Sequence, residues 1–123
     1  MPRAVHEAGR VLADGGVLCL AIVHPINSAG HFEGPDPKAR FVIEDSYLEP
    51  HQYVESIERD GLPMTFTSRH WPLQSYFAAL HDAGFTVDAL KEVTVNKPSA
   101  ADAGIGDHWW RVPLFLDLRA RKR

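Results

Sequence analysis

Cysteine is nearly missing from this sequence. Cys19 stands alone among 123 residues, so neither an internal disulfide nor a multi-cysteine zinc site can form. Because it lies within an apolar run it is predicted to be a buried, inert thiol, and a reducing cytoplasm fits such usage best. Any apolar run long enough to cross a bilayer is missing too, and the first residues lack the charged-then-apolar order of a signal peptide. A formal net charge of -3 offers no long-range attraction to nucleic acid, and the basic tail Arg119, Arg121, Lys122, Arg123 is expected to be a solvated end. Histidines at 6, 24, 31, 51, 70, 81 and 108 never take the close helical spacing of a zinc protease, so no metal is expected. No serine occupies a strand-to-helix elbow, which speaks against a hydrolase relay. Gly104-Ile105-Gly106 lacks the strand before it and the helix after it that a phosphate cradle needs, and reads as plain loop. What the chain does have is 45% hydrophobic residues, ample for one domain that buries about two thirds of its unfolded surface.

Read in order, Pro2 to Ala13 gathers Ala4, Val5, Ala8, Val11 and Leu12 on one helical face, and Asp14-Gly15-Gly16 ends the helix. Val17 to Val23 is apolar at every position. Such a strand is predicted to lie buried inside a parallel sheet covered on both sides. Pro25 stops it and leaves His24 at its carboxyl end, where ligands bind in open α/β sheets, so the segment from His24 to Asn27 is the best-placed site candidate. Ser28 to Lys38 holds Gly30, Gly34, Pro35 and Pro37 and reads as a mobile loop, while Arg40 to Leu48 fits a strand or a short helix equally. Gln52–Ile57 and Met64–Arg69 alternate about an Asp60-Gly61 turn and predict a hairpin. Pro72 suits a first helical turn, Leu73, Tyr76, Phe77 and Leu80 follow as a core stripe, and Gly84 stops the helix with Phe85 folding back on Leu80. A strand Phe85–Val95, a loop Asn96–Asp107 and a period-two strand through Val112, Leu114, Leu116 and Leu118 close the chain as an antiparallel pair. No internal repeat or second domain is evident, so residues 1–123 are taken as a single domain.

Several of these segments together resemble one family. Arg10-Val11-Leu12, Asp14-Gly15-Gly16 and the run to His24-Pro25, then Arg69-His70-Trp71-Pro72-Leu73, Tyr76-Phe77-x-x-Leu80-x-x-Ala83-Gly84-Phe85 and the strand Val112–Leu118 are similar to class I S-adenosylmethionine-dependent methyltransferases of the small-molecule type. The resemblance spans nearly the whole chain but only the C-terminal half of such an enzyme. It implies a partial Rossmann-like α/β fold: the last three strands of a mixed, three-layer sheet with flanking helices, the final strand inserted between the fifth and sixth, plus the β-hairpin insertion. Residues 28–70 would be a cap-like insertion that chooses the substrate. The family's glycine-rich cofactor loop and ribose-binding acid have no counterpart here, so Met1 resembles an internal methionine of a longer protein.

It follows that the parent would transfer a methyl group from S-adenosylmethionine to a small molecule, whereas this chain alone is expected to hold no cofactor and to be inactive. His24 and His70 stand at element boundaries where a full enzyme would place its substrate, although a boundary histidine also serves as a cap or turn residue. Asn27, Tyr53, Trp71, Trp109 and Trp110 complete the substrate-lining candidates, though aromatics near strand ends also serve as core. No catalytic residue is assigned. An alternative reading from another class is a non-catalytic binding or assembly module that pairs through an exposed sheet edge. On either reading the strand Val17–Val23 would leave one edge free, so a homodimer or higher oligomer is expected.

Overall fold

The computed structural model describes residues 1–97 and 107–123. The Gly104-Ile105-Gly106 reading and most of the Asn96–Asp107 loop therefore lie outside the described residues. Helix α1 (Pro2–Val11) begins on a proline, whose missing N–H costs nothing in the first turn. Gly15, at φ +76, lets the chain reverse into β1 (Val17–Val23), the strand predicted from the apolar run. A short helix α2 (Pro25–Ala29) follows at once, where only the end of a strand was expected. Proline at position 25 both stops β1 and starts α2.

Residues 30–45 carry two short strands, β2 (His31–Phe32) and β3 (Phe41–Val42), which pair antiparallel. Thus the expected loop from Ser28 is part helix and part strand, and the ambiguous Arg40–Leu48 stretch has strand at Phe41–Val42 only. The hairpin is longer than predicted, with β4 (His51–Arg59) and β5 (Leu62–His70) in unbroken register from His51 opposite His70 to Arg59 opposite Leu62. Positive φ at both Asp60 (53) and Gly61 (76) gives the two-residue turn whose twist suits a hairpin. Helix α3 (Leu73–Asp82) ends at Gly84, φ +82, and β6 (Phe85–Val93) begins there. A turn of 3-10 helix (Asp107–Arg111) leads to β7 (Phe115–Lys122).

The main sheet has the order β1-β7-β6, with β7 antiparallel to both neighbours, so β1 and β6 run the same way on either side of it. This is the inserted last strand that the resemblance implied. Leu116, Leu118 and Ala120 of β7, all at most 2% exposed, meet Val5 of α1 and Ala79, Leu80 and Phe85 from α3 and the start of β6, with Leu18, Leu20 and Ile22 of β1 at the margin. Gly9 brings α1 against the end of α3, since a Cβ there would lie 2.8 Å from the Ala83 carbonyl oxygen. That close approach turns Val11, predicted to face the core, outward. Phe77 is likewise exposed, and Ala79 takes its place in the α3 core face.

Four further expectations are corrected. Both long helices lie on one face of the sheet, so the described chain has two layers rather than three. On the other face Val17, Cys19, Ala21 and Val23 of β1 are exposed, which makes Cys19 an exposed thiol and leaves open a face of β1 that was expected to be covered, while its position at the sheet edge is the one expected. β1 is also paired antiparallel rather than within a parallel ladder. The basic tail is a strand rather than a loose end: Arg119 to Lys122 belong to β7, with the Arg119, Arg121 and Arg123 side chains solvent-exposed as expected, and the strand begins at Phe115 because Pro113 cannot donate to a ladder. On that face Arg119 donates to Asp88 at 2.7 Å, which holds the Asp88 carboxyl below the usual carboxylate range.

Candidate functional site

At the carboxyl end of β1 the chain turns sharply into α2, and this junction is fastened from several sides. The His24 and Asn27 groups both reach Leu114 at the entrance to β7: the His24 amide donates to its carbonyl at 2.9 Å, the Asn27 side-chain amide at 3.4 Å. The His24 ring is buried and fully engaged. Its Nδ1 accepts from the Ile26 amide at 3.0 Å, capping α2, so Nε2 carries the proton and donates to Glu92 Oε1 at 2.9 Å. With both nitrogens committed, His24 joins the ends of β1 and β6 and starts α2.

His70, wholly buried at the end of β5, makes a second fastening. Its Nε2 donates to the Tyr47 carbonyl at 2.7 Å and its Nδ1 accepts from the Ser28 hydroxyl at 2.7 Å. One ring thus ties α2, the segment before β4 and the hairpin into a single frame. The Tyr47 hydroxyl accepts the Leu73 amide at 3.0 Å, seating the first turn of α3 on that frame.

Between α2 and β4 these fastenings hold open a cleft of about 520 Å³. Val23 and Phe115 form its floor, where β1 ends and β7 begins, and Asn27, Ser28, Gly30 and His31 form one wall. The opposite wall is the face of β4 that carries His51, Tyr53 and Glu55, and Glu44 and Asp45 stand at the mouth. The wall from α2 can pass close because position 30 is glycine: a Cβ there would collide with the Val42 carbonyl oxygen. Burial, opposed by a hydrogen bond from Ser68 and aided by the Glu55 charge, pushes the Tyr53 phenol above its ordinary range. At neutral pH it is a neutral donor.

Of the seven residues singled out from the sequence, Asn27 and Tyr53 line this cleft. His24 and His70 stand behind its walls, positioning rather than facing it. Trp71 lies beneath the Arg69 guanidinium at 5.1 Å, and Trp109 packs edge-on to Phe32 at 5.2 Å. Trp110 is exposed under Lys97 at 5.0 Å. None of the three tryptophans borders the cleft. Sequence reasoning missed Ser28, Glu44, Asp45, His51, Glu55 and Phe115. For His51 and Glu55 a signal existed, since they alternate with Tyr53 on one strand face; for Glu44 and Asp45 none did. Among the described residues no group of three or more histidine, cysteine or acidic side chains could hold a metal ion.

No family model matches the chain, and no curated protein does. Solved structures match it along its whole length. A Listeria monocytogenes protein described as an S-adenosylmethionine dependent methyltransferase superposes with a TM-score of 0.67 over 100% of this chain and 55% of its own, at 16% identity. The fold is that of the methyltransferases. A second S-adenosylmethionine dependent methyltransferase, from Mesorhizobium loti, superposes with a TM-score of 0.63 at 20% identity, over 98% of this chain and 54% of its own. The chain thus spans about half the length of the methyltransferase structures it matches, in agreement with a half-length resemblance.

Proposed function

We propose that the chain forms the substrate-side half of an S-adenosylmethionine-dependent methyltransferase acting on a small molecule, with residues 28–70 as the cap over its acceptor. The observation that carries this reading is the cleft at the carboxyl end of β1, walled by α2 and the hairpin in a methyltransferase fold. When bound, the donor supplies a methyl group on a sulfonium, and transfer depends mainly on placing donor and acceptor in line. The described residues do not fit the whole donor. They include no strand, glycine loop and helix in sequence that could cradle it, and Gly15 and Gly16 lead into a strand rather than a helix. Gripping the donor falls, on this reading, to residues beyond these. What the chain contributes is a rigid frame, through His24 and His70, and a polar wall in which Asn27 and neutral Tyr53 hydrogen-bond an acceptor and hold its orientation.

Calorimetric titration of the purified chain with S-adenosylmethionine is expected to show no binding in the micromolar range. A micromolar dissociation constant would overturn the division of labour and show a complete cofactor site. Reading the gene upstream of Met1 in the same frame is expected to reveal a glycine-rich loop and an acidic ribose partner.

The same reading extends to assembly. Among the described residues β1 pairs on one side only, and its free edge carries no charge in seven residues, so the isolated chain forms a dimer through that edge.

A further inference from the structure

We propose that the cleft takes a positively charged small molecule, an amine or other onium ion, in preference to a neutral or anionic one. This deepens the reading of the cleft as the acceptor site and rests on it. Glu44 and Asp45 at its mouth and Glu55 on its wall carry negative charge, whereas among the described residues no lysine or arginine lines it. His31, with Nε2 3.9 Å from Glu44, carries charge only when protonated. A concave site lined by charges of one sign concentrates its field and with it ions of the other sign. Anionic acceptors would meet three carboxylates and no counter-charge. Tyr53 and Phe115 add aromatic rings to the same lining, and such rings attract a cation through their quadrupole but give an anion nothing comparable. Tyr53 stands between His51 and Glu55 on one face of β4, so a cation at its ring lies within reach of the Glu55 carboxylate. Arg40, the guanidinium within the β2–β3 segment, does not offset this charge, because it is paired with the Glu33 carboxylate at 2.8 and 2.9 Å.

Three probes of one carbon skeleton separate the possibilities: 2-dimethylaminoethanol (cationic), 3-methylbutan-1-ol (neutral) and 3-methylbutanoate (anionic). Each is titrated into the isotopically labelled chain at about pH 8, where histidine is ordinarily neutral, with amide shifts followed by NMR. The expected result is that the amine perturbs Asn27 and Tyr53 and binds at least about tenfold tighter than the alcohol, with the carboxylate weaker still. Raising the ionic strength to about 0.3 M should weaken the amine and leave the alcohol unchanged. Glu55→Gln, an exposed and nearly isosteric change, should reduce amine binding by about fivefold without altering the alcohol. If the alcohol or carboxylate binds as well as the amine in the cleft, the charge preference is overturned while the cleft remains the acceptor site. Should no probe move the cleft residues, the acceptor site itself fails. Trimethylsulfonium binding far above the amine would assign the charge to the donor instead, and overturn the acceptor class.

Discussion

Leu80 is 1% exposed and shares the core with Phe85, Leu116 and Leu118, whereas Gln74 on the same helix faces solvent. Leu80→Ala is therefore expected to lower stability by about 2–5 kcal/mol and Gln74→Ala by roughly a few tenths, as read from urea midpoints. Equal midpoints would show that the register of α3 is wrong. A second residue-scale expectation concerns Tyr53 and Tyr76, whose phenols burial raises above the ordinary value of about 10. In the unfolded chain both ionise near that value while the folded chain keeps them neutral. Their contribution is therefore intact below about pH 10 and is lost as pH rises through the folded values. Midpoints measured across that range should fall, and should fall less in a variant with both tyrosines changed to phenylalanine; an identical slope in the two proteins would remove the tyrosines as its cause. Reading the site from sequence succeeded where a residue's place followed from its own element, as with Asn27 after the strand end and Tyr53 on an alternating strand. It failed for the histidines because hydrogen-bond partners 42 and 68 residues away decide whether a ring faces a cleft or braces its wall.

Among the elements, α3 owes its abrupt end to Gly84, whose φ of +82 admits no side chain without strain. Gly84→Ala should cost about 1 kcal/mol, while Gly34→Ala, with nothing within 4 Å and no such conformation, should be close to neutral. Differential unfolding of the two variants is the check, and a Gly34 cost as large as that of Gly84 would refute the conformational explanation. β1, the hairpin and α3 were legible because apolar periodicity, a paired Asp-Gly turn and a Pro-to-Gly frame each act within a few residues. The extent of β7 was not. Arg119 and Arg121 read as a solvated end, yet they alternate with Leu118 and Ala120, and the alternation that placed the strand at Val112 in fact continues to Lys122. Coverage of β1 was misjudged for a related reason: an apolar run states that both faces can be buried, not that both are.

For the whole molecule, the two edges of the main sheet are unequal. β6 is guarded by Asp88, Lys91 and Glu92 and by a bulge between Val87 and Ala89, devices that discourage a further strand. β1 is seven residues long, unbroken by a bulge in its pairing with β7, and uncharged. Light scattering of the isolated chain across concentrations should therefore report a dimer, and Ala21→Lys, which sets a charge on the exposed β1 face beside that edge, should yield a monomer. A wild-type monomer at high concentration would sink the pairing idea. The position of β7 between β1 and β6 has a further consequence in time. Val17 pairs with Arg121 and Val23 with Phe115, so β1 waits for a partner about a hundred residues downstream in a chain that a ribosome delivers at roughly 5–20 residues per second. For those seconds β1 lacks β7, while among the described residues β2 with β3, β4 with β5 and α3 with β6 close on local contacts. The strand with the uncharged free edge is therefore also the one that waits longest for β7, and a chaperone or another nascent copy that pairs with it in that interval competes with the native sheet.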